Sequence, residues 1–329
     1  MVREALAASN PSEAHNRSFA VALSGGADSA MLAVYAAHLA EHSGQTLHCF
    51  HIHHGLQALA DPWQAHVHRL AAILGVSCHS LRVQVDLGQG DGMESAARAA
   101  RYEGLAKLAK QTGVNRVWLA HHGEDQAETV LLRLLRGAGP LGLSAMAPTS
   151  IRDGITYTRP WLDMPRARIL AAAQAFTQAT GWMPVQDPTN LDPAYTRAAL
   201  RRQLTPILNE RWRGWQGVLA RHARQSREMM GLVAEIAAED WQKLDPAADG
   251  LSFSLAAWRT LSHARQAQVL RYWLSGQGLR APTDARLSEL MRQMRGLHAL
   301  GHDRQMKLHH ERAWIVCVRG RIMLIPKKQ

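Results

Sequence analysis

Residues 24–29 read Ser24-Gly25-Gly26-Ala27-Asp28-Ser29, and this run constrains the fold more than any other part of the chain. It follows the apolar stretch Phe19-Ala20-Val21-Ala22-Leu23 and precedes a helical pattern running from Ser29 to about Leu39. A strand, a glycine turn and a helix start, joined in that order, form an anion cradle. Adjacent glycines let the backbone approach a phosphate and adopt positive φ. The helix N-terminus adds unpaired N–H groups and a partial positive charge. Ser24 and Ser29 supply hydroxyl donors, and Asp28 can hold a magnesium ion that bridges phosphate oxygens. The whole run, Ala27 included, is the candidate nucleotide site.

Three loop types compete for this pattern. A Walker A loop requires G-x-x-x-x-G-K-[ST], and no lysine is near. A dinucleotide fingerprint requires G-x-G-x-x-G, which Gly25-Gly26 does not supply. The pattern S-G-G-x-D-S resembles the PP-loop of the N-type ATP pyrophosphatases. That resemblance implies cleavage of ATP between its α- and β-phosphates, with the loop holding the departing pyrophosphate.

Charge separates the two halves of the chain. Residues 1–150 hold 11 Lys and Arg against 12 Asp and Glu, whereas residues 151–329 hold 27 against 15. A neutral half joined to a basic half points to chemistry in one part and a polyanion bound by the other. Eight arginines (Arg197, Arg201, Arg202, Arg211, Arg213, Arg221, Arg224 and Arg227) face only Glu210 between residues 197 and 227. Cys49, Cys78 and Cys317 form no C-x-x-C pair, which argues against a disulfide framework or zinc ribbon and for a reducing cytoplasm. No apolar run approaches the length of a membrane span. Residues 1–18 read as a loose N-terminal leader.

Strand and helix signals alternate through the first half. Strands are expected at 19–23, 47–52, 79–85 and 115–120, and helices at 29–42, 61–74, 93–112 and 124–136. This rhythm predicts an α/β fold with a doubly wound, mostly parallel sheet. Its ligands bind beyond the carboxyl ends of the strands, so the loops at 24–29, 51–57 and 121–125 should meet there. A loop-rich stretch is expected at 140–165, then helices at 166–180, 193–210 and 214–244. A small α+β C-terminal domain follows, with helices at 255–275 and 283–295 and two or three strands, including 313–318 and 321–325. The expected domains are 19–210 for nucleotide chemistry and 211–329 for a basic helical and α+β region, with a further boundary near 245–250.

Two histidine-bearing loops follow strands. His51-Ile52-His53-His54-Gly55-Leu56 fails as a two-metal pattern, because Gly55 and Leu56 occupy the positions of the required acid and histidine. It suits a loop approaching ATP, with His53 as a candidate contact. Ala120-His121-His122-Gly123-Glu124-Asp125-Gln126-Ala127-Glu128-Thr129 is denser. On a helix His121, Asp125 and Glu128 would share a face. Two carboxylates and an imidazole there can orient a metal and a nucleophilic amine, with Asp28 and Asp125 as magnesium ligands. His122 and Glu128 both remain candidates to remove the amine's proton. Arg133 and Arg136 would point at phosphate or RNA.

Together these motifs resemble the tRNA(Ile)-lysidine synthetases. They occur in order: S-G-G-x-D-S at 24–29, H-x-H-H-G-L at 51–56, E-x-x-A-R-x-x-R-Y at 94–102, A-H-H-x-x-D-Q-x-E-T at 120–129 and R-G-x-G-x-x-G-L at 136–143. Arg159-Pro160-Trp161-Leu162 with Arg166 is similar to the family's R-P-L-L segment. Residues 187–197 are similar to its D-x-[ST]-N-x-D-x-x-Y-x-R signature. Three departures stand out: Glu124 replaces the first of two paired aspartates, Ala198 and Ala199 fall in a segment that is polar in the family, and the chain is shorter than the longest members.

The resemblance implies that ATP and Mg2+ activate C2 of the wobble cytidine in a tRNA(Ile) with a CAU anticodon. L-lysine then displaces AMP. It implies catalytic roles for Asp28, Arg98, His122, Asp125 and Glu128, and tRNA contacts from Arg136, Arg197, Arg201 and Arg202. Rival readings are a sulfur-inserting tRNA enzyme, a small-molecule synthetase with the same loop, and a non-catalytic RNA-binding protein. A homodimer is compatible with the sequence, which does not fix the oligomeric state.

Overall fold

The computed structural model describes residues 18–55, 60–85, 93–188, 192–297 and 306–326. Its contacts divide into two units between Ser226 and Arg227. Apart from Ser18, the expected leader lies outside the described residues, as do Leu56 and residues 189–191 of the quoted motifs.

In the first unit, β1 (Ser18–Ala22), β2 (Thr46–His53), β3 (Ser77–Arg82) and β4 (Arg116–Trp118) alternate with four helices. These are α1 (Ala27–Ser43), α2 (Ala60–Ile73), α3 (Met93–Thr112) and α4 (Gly123–Leu135). After the one-turn α5 (Pro140–Leu143) come β5 (Thr149–Arg152) and β6 (Ile155–Thr158). The sheet order is β3-β2-β1-β4-β6-β5, parallel except for the β5–β6 pair. The chain leaves β1 towards β2 on one side and later returns to β4 on the other. That reversal opens a crevice at the carboxyl end of β1, where the glycine run lies.

One apolar cluster joins α1 to β1 and β2 and includes Phe19, Val21, Met31, Leu32, Cys49 and Trp182. Another, with Phe50, Tyr102, Leu105, Val117 and Tyr157, lies between α3 and β1, β2, β4 and β6. The sheet is thus covered on both faces, and consecutive residues Phe19, Ala20 and Val21 of β1 are all fully buried.

The stretch expected to be loop-rich, 140–165, contains the β5–β6 hairpin. Its signal was the Asp153-Gly154 dipeptide. Both residues take positive φ, 53° and 77°, as a two-residue turn of right-handed strand twist needs. α6 (Arg166–Thr180) then packs on α1 through Ile169 and Ala173.

The helix expected at 193–210 is not uniform. α7 (Thr196–Ala199) passes into a π-helical stretch at Leu200–Leu204 and resumes as α8 (Thr205–Arg211). Thr205 N–H reaches back to the Leu200 carbonyl. Pro206 explains the shift. It lacks an N–H, and its ring crowds the carbonyl four residues earlier, so the chain widens before it. α9 (Trp215–Lys243) follows and spans the division between units.

The second unit holds a four-stranded sheet of order β7-β10-β9-β8, antiparallel throughout. The strands are β7 (Ser252–Ser254), β8 (Lys307–His310), β9 (Ala313–Val318) and β10 (Arg321–Pro326). The single helix expected at 255–275 is two, α10 (Leu255–Thr260) and α11 (His263–Gly276). Leu261 and Ser262 are extended between them, and Ser262 is the residue before α11. α12 (Asp284–Gly296) completes the helices. Phe253, Trp258 and Trp273 fill the core.

Candidate active site

The glycine run is shaped from three directions. Gly25 has φ +93°, and a Cβ there would lie 3.1 Å from Val67 and 3.2 Å from Val185 side-chain atoms. Its carbonyl accepts from Val185 N–H at 2.9 Å. Glycine is therefore favoured by the positive φ, and a Cβ there would also press on both valines. Ser29 closes the turn: its hydroxyl donates to the Gly26 carbonyl at 3.1 Å and accepts from Ser24 N–H at 3.1 Å. The two serine hydroxyls lie 3.0 Å apart. Gly26 precedes α1 with no side-chain cap, which leaves the helix N-terminus to an anion.

Asp28, in the first turn of α1, meets a partner from far along the chain. Arg166 Nε and Nη2 reach Asp28 Oδ1 and Oδ2, each at 3.1 Å. Arg166 N–H in turn donates to both Glu124 oxygens, at 3.1 and 2.9 Å. Glu124 is thus engaged by a backbone and by His122, whose Nδ1 is 3.2 Å away.

His122 is the N-cap of α4, and Asp125 accepts its N–H at 3.2 Å. The helix begins at Gly123, so His121 is off the helical register that placed it beside Asp125 and Glu128. The two histidines part company. His122 is buried, with Nε2 3.3 Å from Asp125 Oδ2 and 3.9 Å from Asp28 Oδ1. One imidazole nitrogen therefore gathers both expected magnesium ligands. Burial alone would lower the His122 pKa, but Glu124, Asp125 and Asp28 together outweigh it and raise it. Nδ1 cannot both accept from Asp125 N–H at 3.4 Å and donate to Glu124. The shorter charged contact and the raised pKa favour donation to Glu124. Burial pushes Glu124 up, but its bonds to His122 and the Arg166 backbone leave it below its usual value.

His121 has arginines for company. Burial first, then Arg159, Arg98, Arg197 and Arg101, hold it far below its ordinary pKa, and so neutral. Arg98 donates to the Tyr102 hydroxyl at 3.4 Å. Arg159 does the same at 3.4 Å and is fixed by the Ala147 carbonyl at 2.8 Å.

The carboxylates of α4 are met by the π-helical stretch. Arg201 Nε and Nη2 bind Glu128 at 2.6 and 2.9 Å, and Nη2 reaches Asp125 at 3.2 Å. Arg197 lies 3.7 Å from Asp125 and donates to Thr129 Oγ1 at 3.2 Å. Arg202 and Arg136 are exposed. Arg133 donates to the Gly142 and Ala145 carbonyls at 2.8 and 3.0 Å, bracing the loop after α4 rather than facing phosphate.

His53 is buried, with Nε2 on Asp61 at 2.9 Å, and Asp61 also accepts from Arg82 at 2.6 Å. His51 Nδ1 lies 2.9 Å from the Leu23 carbonyl and ties β2 to the end of β1. His54 is pushed down to about 4 by burial, Arg101 and the neighbouring histidines.

Ser24–Ser29, His122, Asp125, Glu128, Arg197 and Arg201 thus come together at one crevice, together with Glu124 and Arg166. The role of Arg166 had no local signal, because its partner lies in α1; only Pro165 before it marked a helix start.

A parallel sheet with this cradle defines a PP-loop domain, and the PP-loop domain model matches residues 2–208. A TilS substrate binding domain model matches residues 253–323. A tRNA(Ile)-lysidine synthase of Bordetella bronchiseptica is 58% identical over 323 residues, covering 98% of this chain and 93% of the relative. One from Ralstonia nicotianae is 42% identical, covering 90% of this chain and 64% of the relative. The chain belongs to the tRNA(Ile)-lysidine synthase family. A U34-tRNA thiolase from Methanococcus maripaludis shares the fold at a TM-score of 0.52 and 15% identity, over 64% of this chain and 72% of that one.

Proposed function

We propose that this chain is a C–N bond-forming ligase that joins L-lysine to C2 of the wobble cytidine of tRNA(Ile) bearing a CAU anticodon, at the expense of ATP. Its relatives carry that enzyme's name across nearly the whole chain. The observation that carries the reading beyond the name is the junction of two kinds of site. A glycine cradle built for phosphate stands beside buried carboxylates built for an amine.

Ser24, Gly25, Gly26, Ala27 and Ser29 hold the pyrophosphate portion of ATP through backbone N–H groups and hydroxyls. The residues fit a magnesium ion as well: Asp28 and Asp125 offer hard oxygen donors within 3.9 Å of one imidazole nitrogen. Such an ion would neutralise phosphate charge when bound. Asp125 and Glu128, already organised for cationic partners by Arg197 and Arg201, receive the amine of lysine. Of the two candidate bases, Glu128 is committed to Arg201 at two points. His122 faces carboxylates and not a guanidinium, with Nε2 within 3.9 Å of both Asp28 and Asp125, and is the proposed proton acceptor. Arg98, which donates to the Tyr102 hydroxyl and lies near His121, is the proposed catalytic cation on that side of the site. Arg136, Arg202 and the exposed arginines after them extend that charge, which makes tRNA binding salt-dependent. An unpaired anticodon base enters such a site without the cost of opening a duplex.

A sulfur-transfer reading has less support. Cys49 and Cys78 are register partners on β2 and β3, but burial pushes each thiol up to about 12, far from a reactive thiolate. No helix among the described residues is long and apolar enough to cross a membrane. The proposed tRNA substrate supports a cytoplasmic enzyme.

Incubation with labelled L-lysine, ATP, Mg2+ and a bulk tRNA pool tests the proposal. Label should enter tRNA with release of AMP and pyrophosphate. ATP-dependent sulfur incorporation, or no lysine in tRNA, overturns it.

A further inference from the structure

We infer that Arg166 is the phosphate-directed cation of the nucleotide site, resting on Asp28 and set in position through its own backbone by Glu124. The inference rests on the nucleotide reading above and adds two residues to it.

Arg166 is the first residue of α6, following Pro165. The first N–H groups of a helix have no acceptor within it, and Pro165 offers no capping side chain. Both oxygens of Glu124, from the start of α4, take the Arg166 N–H. A carboxylate at a helix N-terminus is favoured by the helix dipole as well. The added methylene of Glu124 over aspartate serves this reach. Glu124 therefore fixes the backbone from which the guanidinium extends.

That guanidinium makes a two-point contact with Asp28, within the cradle itself. Its partner helix is rigidly placed, since α6 packs on α1 within one core. Only the side chain is free to exchange. The pair is open to water, with the Arg166 side chain 40% and the Asp28 side chain 25% exposed, so it is weakly held and easily traded. A phosphate accepts the same fork geometry that the carboxylate accepts. The glycine run lacks the lysine by which a Walker loop contacts phosphates. Arg166 supplies that missing side-chain charge from another element. When Asp28 turns to a cation, the guanidinium passes to the phosphates, and the positive charge beside the loop is conserved.

The test is ATP affinity by calorimetry across a MgCl2 series, without tRNA, for the wild type and for R166A, R166K, E124A and E124Q. In R166A, ATP should bind about tenfold more weakly at saturating Mg2+, from loss of a charge-assisted contact. The Mg2+ concentration giving half the effect should fall, because Asp28 has lost its competitor. R166K should lie between R166A and wild type. E124A should reproduce the R166A split in milder form, and E124Q, which keeps an oxygen for the Arg166 N–H, should restore ATP affinity. A merely structural arginine would weaken both quantities together. R166A with wild-type affinity and Mg2+ dependence, or parallel weakening in R166A and R166K, overturns the assignment to Arg166. E124A with wild-type behaviour overturns the positioning role. A wild-type chain that binds no ATP overturns the nucleotide reading itself.

Discussion

Glu128 and Asp240 are both buried acids paired with an arginine, one in each unit, yet they keep different company. Glu128 shares Arg201 with Asp125, and Asp125 shares His122 with Glu124 and Asp28. Among the described residues Asp240 has the single ion-pair partner Arg265, from α11. The contrast extends to the cores. Nine of the thirteen buried polar residues among those described lie in the first unit, most of them at the carboxyl ends of β1, β2 and β4. The second unit holds the other four, Asp240, Ser252, Gln266 and His310, around a core that includes Trp258, Trp273 and Phe253. A linked chain of opposite charges can be rearranged by a charged ligand, whereas an isolated pair beside a packed aromatic core can only hold or break. The first arrangement suits chemistry and the second suits a stable platform.

Substitutions can break that comparison. The largest effect is expected from Asp28→Ala, which should cut pyrophosphate release by about three orders of magnitude, about 4 kcal/mol of barrier, while tRNA binding persists. Unchanged turnover would remove Asp28 from the chemistry. Trp258→Ala should cost about 3–5 kcal/mol of stability in the second unit and weaken tRNA retention, with ATP affinity unaffected. Loss of ATP binding in that variant would show that the platform and the site do not separate. Arg201→Ala strips the partner from buried Glu128 and should lower stability by about 3 kcal/mol, read from thermal unfolding. If stability rises instead, Arg201 is strained into place for a ligand.

The smallest effect concerns His122. Its folded pKa is raised, so the stability it contributes is fully present below its ordinary 6.5 and is lost as pH rises through the raised value. Tm should fall across that window in the wild type and stay flatter in H122Q. Glu124 has the opposite sign: its contribution is present above its ordinary 4.5 and is lost as pH falls through the depressed value.

Much of the first unit was legible because its rules are local. Periodicity placed β1 to β4 and α1 to α4 within a few residues, and the glycine run announced the turn before any long-range contact was known. What escaped depended on partners or on punctuation. Asp153-Gly154 marks a hairpin that a generally loop-like stretch concealed. Pro206 marks the π-helical shift that a continuous helical pattern smoothed over. Arg201 read as one of eight arginines in a basic run, since nothing nearby in sequence shows that Glu128 holds it. Arg166 stood out only as part of a motif, and its partners Asp28 and Glu124, from two other helices, left no mark near it.

The hydrogen bond from Val185 to the Gly25 carbonyl has a consequence for synthesis. Gly25 emerges early from a ribosome, but the segment that clamps it, anchored by Trp182 stacked on His66, is made much later. β1 likewise waits for β4, its parallel neighbour. During translation the glycine run therefore spends a long interval without its final supports. A nascent chain halted before Val185 would contain every residue of the loop and still lack the finished cradle.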